Sequence, residues 1–68
     1  MSQRNENKAY FEQALCDKET KLALHILHDG KSFWVPKSVV DDDSEVYQKD
    51  DEGTLVLPEW FAIKEGLV

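Results

Sequence analysis

The feature that most constrains this chain is the dipeptide Asp29-Gly30, which separates two segments in which apolar residues recur at every second position. Such alternation is typical of β-strands, and a two-residue turn of Asp and Gly joins antiparallel strands because both residues tolerate positive φ. The pattern predicts a β-hairpin over residues 21–36. A turn centred on these two residues also predicts the register, with His25 opposite Trp34.

The predicted register divides the hairpin into two faces. One face is apolar and suited to a core: Leu24, Ile26, Phe33 and Val35. The other is only half polar: Ala23, His25, Leu27 and Trp34. An exposed aromatic side chain among polar groups is typical of a binding surface, so Trp34, His25 and the nearby Lys37 are candidate binding residues. The alternative is that the N-terminal segment or a second subunit buries this face.

The end of the chain has the signals of a strand followed by a helix. Residues 54–57 are β-branched and apolar, which predicts a short strand, and residues 58–65 are predicted to be helical because Pro58 suits a first helical position and Gly66 a stop. Trp60 is expected to anchor this short helix in the core, on one face with Ile63 and Leu67. The fold class predicted is α+β, a small antiparallel sheet or partly open barrel with a C-terminal helix.

Other segments are less sharply patterned. Residues 1–8 are polar and predict a flexible tail before a single domain over residues 9–68. Residues 9–16 contain apolar pairs at both helical and strand spacing, and the periodicity slightly favours a helix. Residues 37–40, after Pro36, predict a brief further strand.

Residues 41–53 are strongly acidic. They hold seven of the fourteen acidic residues and a single lysine: Asp41, Asp42, Asp43, Glu45, Asp50, Asp51 and Glu52. Because like charges repel, the segment is predicted to be a solvated loop, interrupted by a short contact at Val46-Tyr47. Its seven acids are candidate binding residues for a basic partner.

The composition argues against catalysis and against a bound cofactor or metal. Four of the acids match a calcium-loop template, but the glycine that the template requires at its sixth position is Val46 here. His25 and His28 point to opposite faces of a strand, and Cys16 is the only other soft ligand, so a zinc site is not expected. Cys16 is interpreted as a small packed residue, and 68 residues offer few walls for an active-site pocket.

Size, charge and cysteine content indicate an intracellular protein. A lone cysteine and a polar N-terminus without an apolar leader predict a cytoplasmic location, and no apolar run has the roughly 18 to 20 residues of a membrane span. The formal net charge of -6 repels phosphate backbones, which argues against direct nucleic-acid binding.

Two motifs resemble a family of small phage and prophage proteins without assigned activity. The first is Trp34-Val35-Pro36-Lys37-Ser38, and the second is Pro58-Glu59-Trp60-Phe61-Ala62 followed by Gly66-Leu67. The chain departs from that pattern at Phe61, which is usually aliphatic, and in its long acidic insertion. The resemblance implies a strand-rich domain ending in one helix, an extended conformation for residues 9–16, and a viral setting inside a host cell.

Three functions follow as hypotheses. The first is a non-enzymatic phage-type accessory protein that binds a host protein, as an acidic mimic of nucleic acid or an inhibitor of a nucleic-acid-processing or defence enzyme. The second is a small reader of single-stranded nucleic acid, with Phe33 and Trp34 stacking on bases and Lys31 and Lys37 on phosphates. The third is a structural homodimer subunit joined through the strand edge beside Pro36.

Overall fold

The computed structural model describes residues 7–67, which form one open antiparallel sheet and a short C-terminal helix. The elements are β1 (Lys8–Glu19), β2 (Ala23–His28), β3 (Lys31–Pro36), a short 3₁₀ helix (Lys37–Val39), β4 (Glu52–Pro58) and α1 (Glu59–Lys64). The strands lie in the order β3-β2-β1-β4. The α+β prediction with an antiparallel sheet is therefore confirmed. The predicted tail over residues 1–8 lies mostly outside the described residues, and Lys8 begins β1.

The predicted hairpin and its register are confirmed. His25 pairs with Trp34 and Leu24 with Val35. Asp29 and Gly30 both have positive φ, 51° and 77°, as a tight two-residue hairpin turn requires. Leu24, Ile26 and Val35 are fully buried, and Phe33 packs partly buried against the same core.

Residues 9–16 are extended, so the helical preference was wrong and the conformation implied by the family resemblance is found. The reason lies at Gln13, which has φ of 61° where the pairing with β4 shifts between Phe11 and Ala14. This irregularity turns both Phe11 and Ala14 toward the core although they are three positions apart. A strand with such a bulge produces the spacing that is normally typical of a helix.

The helix α1 is shorter than residues 58–65 and buries a different face from the predicted one. Trp60 and Ile63 are 57% and 60% exposed, whereas Phe61 and Ala62 are buried. Because α1 follows β4 with no linker, the direction in which Pro58 leaves the strand determines the face that meets the sheet. Trp60 is therefore not a core anchor, and only Leu67 of its predicted face packs against the core.

Two further boundaries differ from the predictions. The fourth strand covers Glu52–Pro58 rather than residues 54–57 because β1 provides it with a long pairing partner. Residues 37–40 do not form a strand. The last bond beside the hairpin is Lys37 N–H to Leu22 O, after which Val40 N–H bonds to Lys37 O and closes a 3₁₀ turn.

Residues 41–51, called here the acidic segment, are mostly exposed, as predicted for a solvated loop, but hydrogen bonds hold them against β4 and β1. Its first half covers the free edge of β4: the Asp41 N–H bonds to Val56 O at 3.0 Å and the Glu45 N–H to Thr54 O at 2.7 Å. The Ser44 hydroxyl donates to Val56 O and accepts from Val56 N–H, at 3.0 and 2.8 Å. These bonds satisfy an edge that would otherwise be open to another strand.

The acidic segment is also held by burial and by β1. Val46 is fully buried in the core, as the predicted contact requires, whereas Tyr47 remains 48% exposed. Asp50 N–H bonds to Cys16 O and Cys16 N–H to Asp51 O, at 2.7 and 3.0 Å. Repulsion between the carboxylates is thus outweighed by backbone hydrogen bonds and one buried side chain.

The core lies between one face of the sheet, α1 and the acidic segment. Its buried members are Phe11, Ala14, Cys16, Leu24, Ile26, Val35, Val46, Leu55, Leu57, Phe61 and Ala62. Among residues 7–67, no helix combines the length and the apolar character that crossing a membrane would require.

Candidate protein-binding surface

Trp34 stands on the outer face of the hairpin, where it is 47% exposed. Its ring lies against the His25 ring, with centroids 4.8 Å apart and planes tilted by 55°. His25 Nδ1 lies 2.6 Å from Asp17 Oδ1, and this hydrogen bond lowers the pKa of the Asp17 carboxyl. Asp17 falls at a second irregularity of β1, between Cys16 and Lys18. The exposed indole therefore packs on His25, and Asp17 in turn holds His25 in place.

A groove of about 420 Å³ borders Trp34 at the open end of the hairpin. It is lined by Leu22, Ala23, Trp34, Pro36, Phe61, Lys64 and Glu65. Leu22 is 75% exposed beside it. Within residues 7–67 the N-terminal strand β1 lies beside β2 in the same sheet, so it does not cover this face. We call Leu22, His25, Trp34 and Pro36, together with the groove, the Trp34 surface.

Lys37 does not join the Trp34 surface. Its Nζ lies 2.5 Å from Glu19 Oε2, and Glu19 Oε1 accepts the Lys49 N–H at 3.0 Å. The ammonium of Lys37, followed by the Lys49 N–H, holds the pKa of the Glu19 carboxyl below its ordinary value. Lys37 therefore helps to connect the 3₁₀ helix to the acidic segment through Glu19.

Four of the seven predicted acidic residues serve the fold itself. Asp41 and Asp43 both bind Lys8 Nζ at 3.2 Å, and Asp41 also accepts the Asp43 N–H, which lowers the pKa of Asp41. Glu45 accepts the Thr54 N–H, and Asp51 accepts the N–H groups of Tyr47 and Gln48. Asp42, Asp50 and Glu52 are exposed. The acidic residues lie beside β4 and β1, and are not gathered around Trp34 on β3.

No metal centre or activated nucleophile emerges from residues 7–67. In this range no group of three His, Cys, Asp or Glu side chains is arranged to hold a metal ion. Cys16 is fully buried, and burial raises the pKa of its thiol while its Sγ donates to Lys18 O at 3.1 Å. Its interpretation as a packed residue is confirmed, because a raised pKa disfavours the reactive thiolate.

We predict that the protein loses stability in acid. The pKa values of Asp17, Glu19 and Asp41 are lower in the folded chain than their ordinary values of 3.8, 4.5 and 3.8. Their contribution is therefore complete above these ordinary values and is lost as the pH falls through the lower folded values. Thermal melts between about pH 6 and pH 2 should show a falling midpoint.

The control for the acid prediction is Glu19→Gln, which removes one of the three titrating groups. Its midpoint should already be lower at neutral pH and should fall less than that of the parent protein on acidification. A parent midpoint that stays constant or rises toward about pH 2 contradicts the prediction.

The sequence pattern missed part of this surface. Asp17 lay in a polar break with no sign that it would meet His25. The groove residues Phe61 and Lys64 come from α1 and Glu65 follows it, all more than 20 positions from β3, so that local periodicity carries no signal for them. Leu22 alternates with Leu24 and Ile26, which predicts the core side, but it lies just before β2 and is 75% exposed. Comparison with protein-family models, with curated proteins and with solved structures gave no match in any of the three.

Proposed function

We propose that this chain is a non-enzymatic module that binds another protein through the Trp34 surface. The observation that carries the proposal is the half-exposed Trp34 ring, packed on His25 and bordering an apolar groove. Tryptophan is enriched among residues that dominate binding energy, and an anchor whose conformation is already supported loses little entropy on binding. Contact with a partner would remove the exposed surface of Trp34, Leu22 and Pro36 from water.

We further propose that the partner is a basic protein of a host cell. The formal net charge is -6, and Asp42 and Asp50 of the acidic segment are exposed, as is Glu52 at the start of β4. An anionic surface that is already ordered attracts a basic groove at long range, as a nucleic acid does. The phage-like motifs around Trp34 and Trp60 support a setting in the host cytoplasm, with a nucleic-acid-processing or defence enzyme as the target.

Fewer observations support the alternative in which the protein binds single-stranded nucleic acid. Phe33 and Trp34 lie on opposite faces of β3, and Phe33 packs against Phe11 with ring centroids 5.9 Å apart. Lys37 is engaged by Glu19. The two aromatic rings therefore cannot stack on successive bases from one surface.

The chain offers a matched pair of tryptophans for testing the proposal. A partner is first captured from host lysate and purified. Trp34→Ala should then weaken binding of this partner by at least about tenfold, the range of a hot-spot residue. Trp60→Ala, which removes an indole of similar exposure from α1 (57% against 47% for Trp34), should change the affinity less than about threefold. Calorimetric titration at rising salt provides a second readout, because attraction by the acidic segment predicts weaker binding as charges are screened.

Three results would count against the proposal. Equal affinity of the two tryptophan variants would remove the Trp34 surface as the binding site. Affinity that does not depend on salt would remove nucleic-acid mimicry. A mobility shift of a labelled single-stranded oligonucleotide that requires Trp34 would replace protein binding by the nucleic-acid alternative.

A further inference from the structure

The two edges of the sheet are treated differently by the fold. The edge of β4 is covered by Ser44 and Glu45, which bond to the backbone of Val56 and Thr54. The edge of β3 has no such cover within residues 7–67, and β3 pairs only with β2. An uncovered edge strand offers a row of N–H and C=O groups to another strand.

The groups on this edge follow from the hairpin geometry. In a hairpin with a two-residue turn, His28 and Lys31 form a hydrogen-bonded pair, and such pairs alternate along the strands. Phe33 and Val35 therefore direct their backbone groups toward β2. Ser32 and Trp34 direct theirs away from it, and Pro36 has a carbonyl but no N–H.

We infer that the free edge of β3 pairs with the β3 edge of a second copy of this chain, forming a two-fold symmetric dimer with one continuous sheet. In the register we assign, Phe33 lies opposite the partner's Phe33. Ser32 then exchanges two hydrogen bonds with the partner's Trp34, and the symmetry repeats this pair. This register satisfies every free N–H and C=O of Ser32 and Trp34 and places Pro36 at the end of the ladder.

Shape and charge on β3 also fit a second copy. Ser32 and Trp34 share the outer face, so each indole would stand beside a small serine of the partner. Lys31 is the only charged residue of β3, and the acidic segment lies at the other edge of the sheet. Pairing at β3 therefore keeps the two acidic segments far apart. The two Trp34 rings would meet on one face and double the Trp34 surface.

The size of the edge determines how strongly the copies associate. A six-residue strand buries less than the roughly 1,200 Å² of a standard stable interface, so the two copies should associate weakly. Salt should strengthen the dimer because it screens repulsion between two chains of net charge -6. This is the opposite of the salt effect proposed for a basic partner.

Sedimentation velocity from about 5 µM to 1 mM tests the dimer, since a weakly associating pair forms only toward the upper end of this range. The parent chain and Ser32→Ala, which keeps its N–H, should shift from monomer to dimer over this range. Ser32→Pro should stay monomeric at every concentration, with association weakened at least tenfold. The proline removes an N–H that β2 does not use, so its circular dichroism should match that of the parent.

Amide hydrogen exchange of the parent chain gives an independent readout that needs no variant. The N–H groups of Ser32 and Trp34 should exchange more slowly at 1 mM than at 5 µM, whereas those of Phe33 and Val35 should be protected at both concentrations. A parent chain that is monomeric at 1 mM, or exchange at Ser32 that is independent of concentration, overturns the dimer. A failure of partner binding can be told apart from a failure of dimerisation, because Ser32→Pro removes the dimer contact and keeps the Trp34 side chain.

Discussion

Leu57→Ala is expected to lower the free energy of unfolding by about 2–5 kcal/mol. Leu57 is fully buried in β4, where it pairs with Ala9 and belongs to the single core of the described residues. A domain of this length has a total stability of roughly 3–10 kcal/mol, so the variant loses a large fraction of it. Urea denaturation followed by circular dichroism measures the loss.

Trp60→Ala is the control for this first prediction. It removes more atoms than Leu57→Ala, but from a side chain that is 57% exposed, so its cost should stay below about 1 kcal/mol. A greater loss of stability at Trp60 than at Leu57 would restore Trp60 as the anchor of the helix and contradict the packing described above.

Ser44→Ala is expected to destabilise the fold by about 1–3 kcal/mol. The buried hydroxyl bonds both the N–H and the C=O of Val56. Its removal leaves the Val56 N–H on the β4 edge without a partner, whereas the Val56 C=O keeps its bond from the Asp41 N–H. The freed N–H can bond to another chain, so the variant should also aggregate more readily than the parent.

Chemical denaturation and static light scattering at matched concentrations measure the two effects of Ser44→Ala. Ser38→Ala is a suitable control because Ser38 is exposed in the 3₁₀ helix, and its substitution should change stability by no more than about 0.5 kcal/mol. If the two serine variants have equal stability and scattering, the acidic segment does not protect β4 in the way inferred here.

The contrast between the two sheet edges connects these predictions with the proposed binding function. The acidic segment uses Ser44 and Glu45 to close the β4 edge while Asp42, Asp50 and Glu52 stay exposed. In the part of the chain that the structure describes, the β3 edge stays open beside Trp34. The β4 edge of the sheet is thus suited to electrostatic attraction and the β3 edge to direct contact.

The sequence predicted best where local chemistry decides the conformation. Asp29-Gly30 selects one turn type, and that turn determines the pairing of His25 with Trp34 and the apolar face with Leu24 and Val35. The burial of Val46 within an acidic run was also predictable, because it is the one aliphatic side chain there. These features depend on neighbours within a few positions.

Predictions from the sequence were poor where residues distant in the chain determine the conformation. Trp60 has the larger apolar side chain, yet Phe61 is buried instead because the exit from β4 orients α1. The candidate site shows the same limit. His25 and Trp34 were foreseen together, whereas Asp17 reaches His25 only through a shift in the pairing of β1 with β2.

The amino-acid sequence by itself determined the central hairpin, its register and the position of Trp34 on its outer face, because turn chemistry and strand alternation act over short distances. Tertiary structure alone decided the conformation of residues 9–16, the buried face of α1 and the order of the acidic segment. Each of these depends on backbone hydrogen bonds or packing with elements remote in the chain, and their free energy exceeds the local preferences that a sequence pattern records.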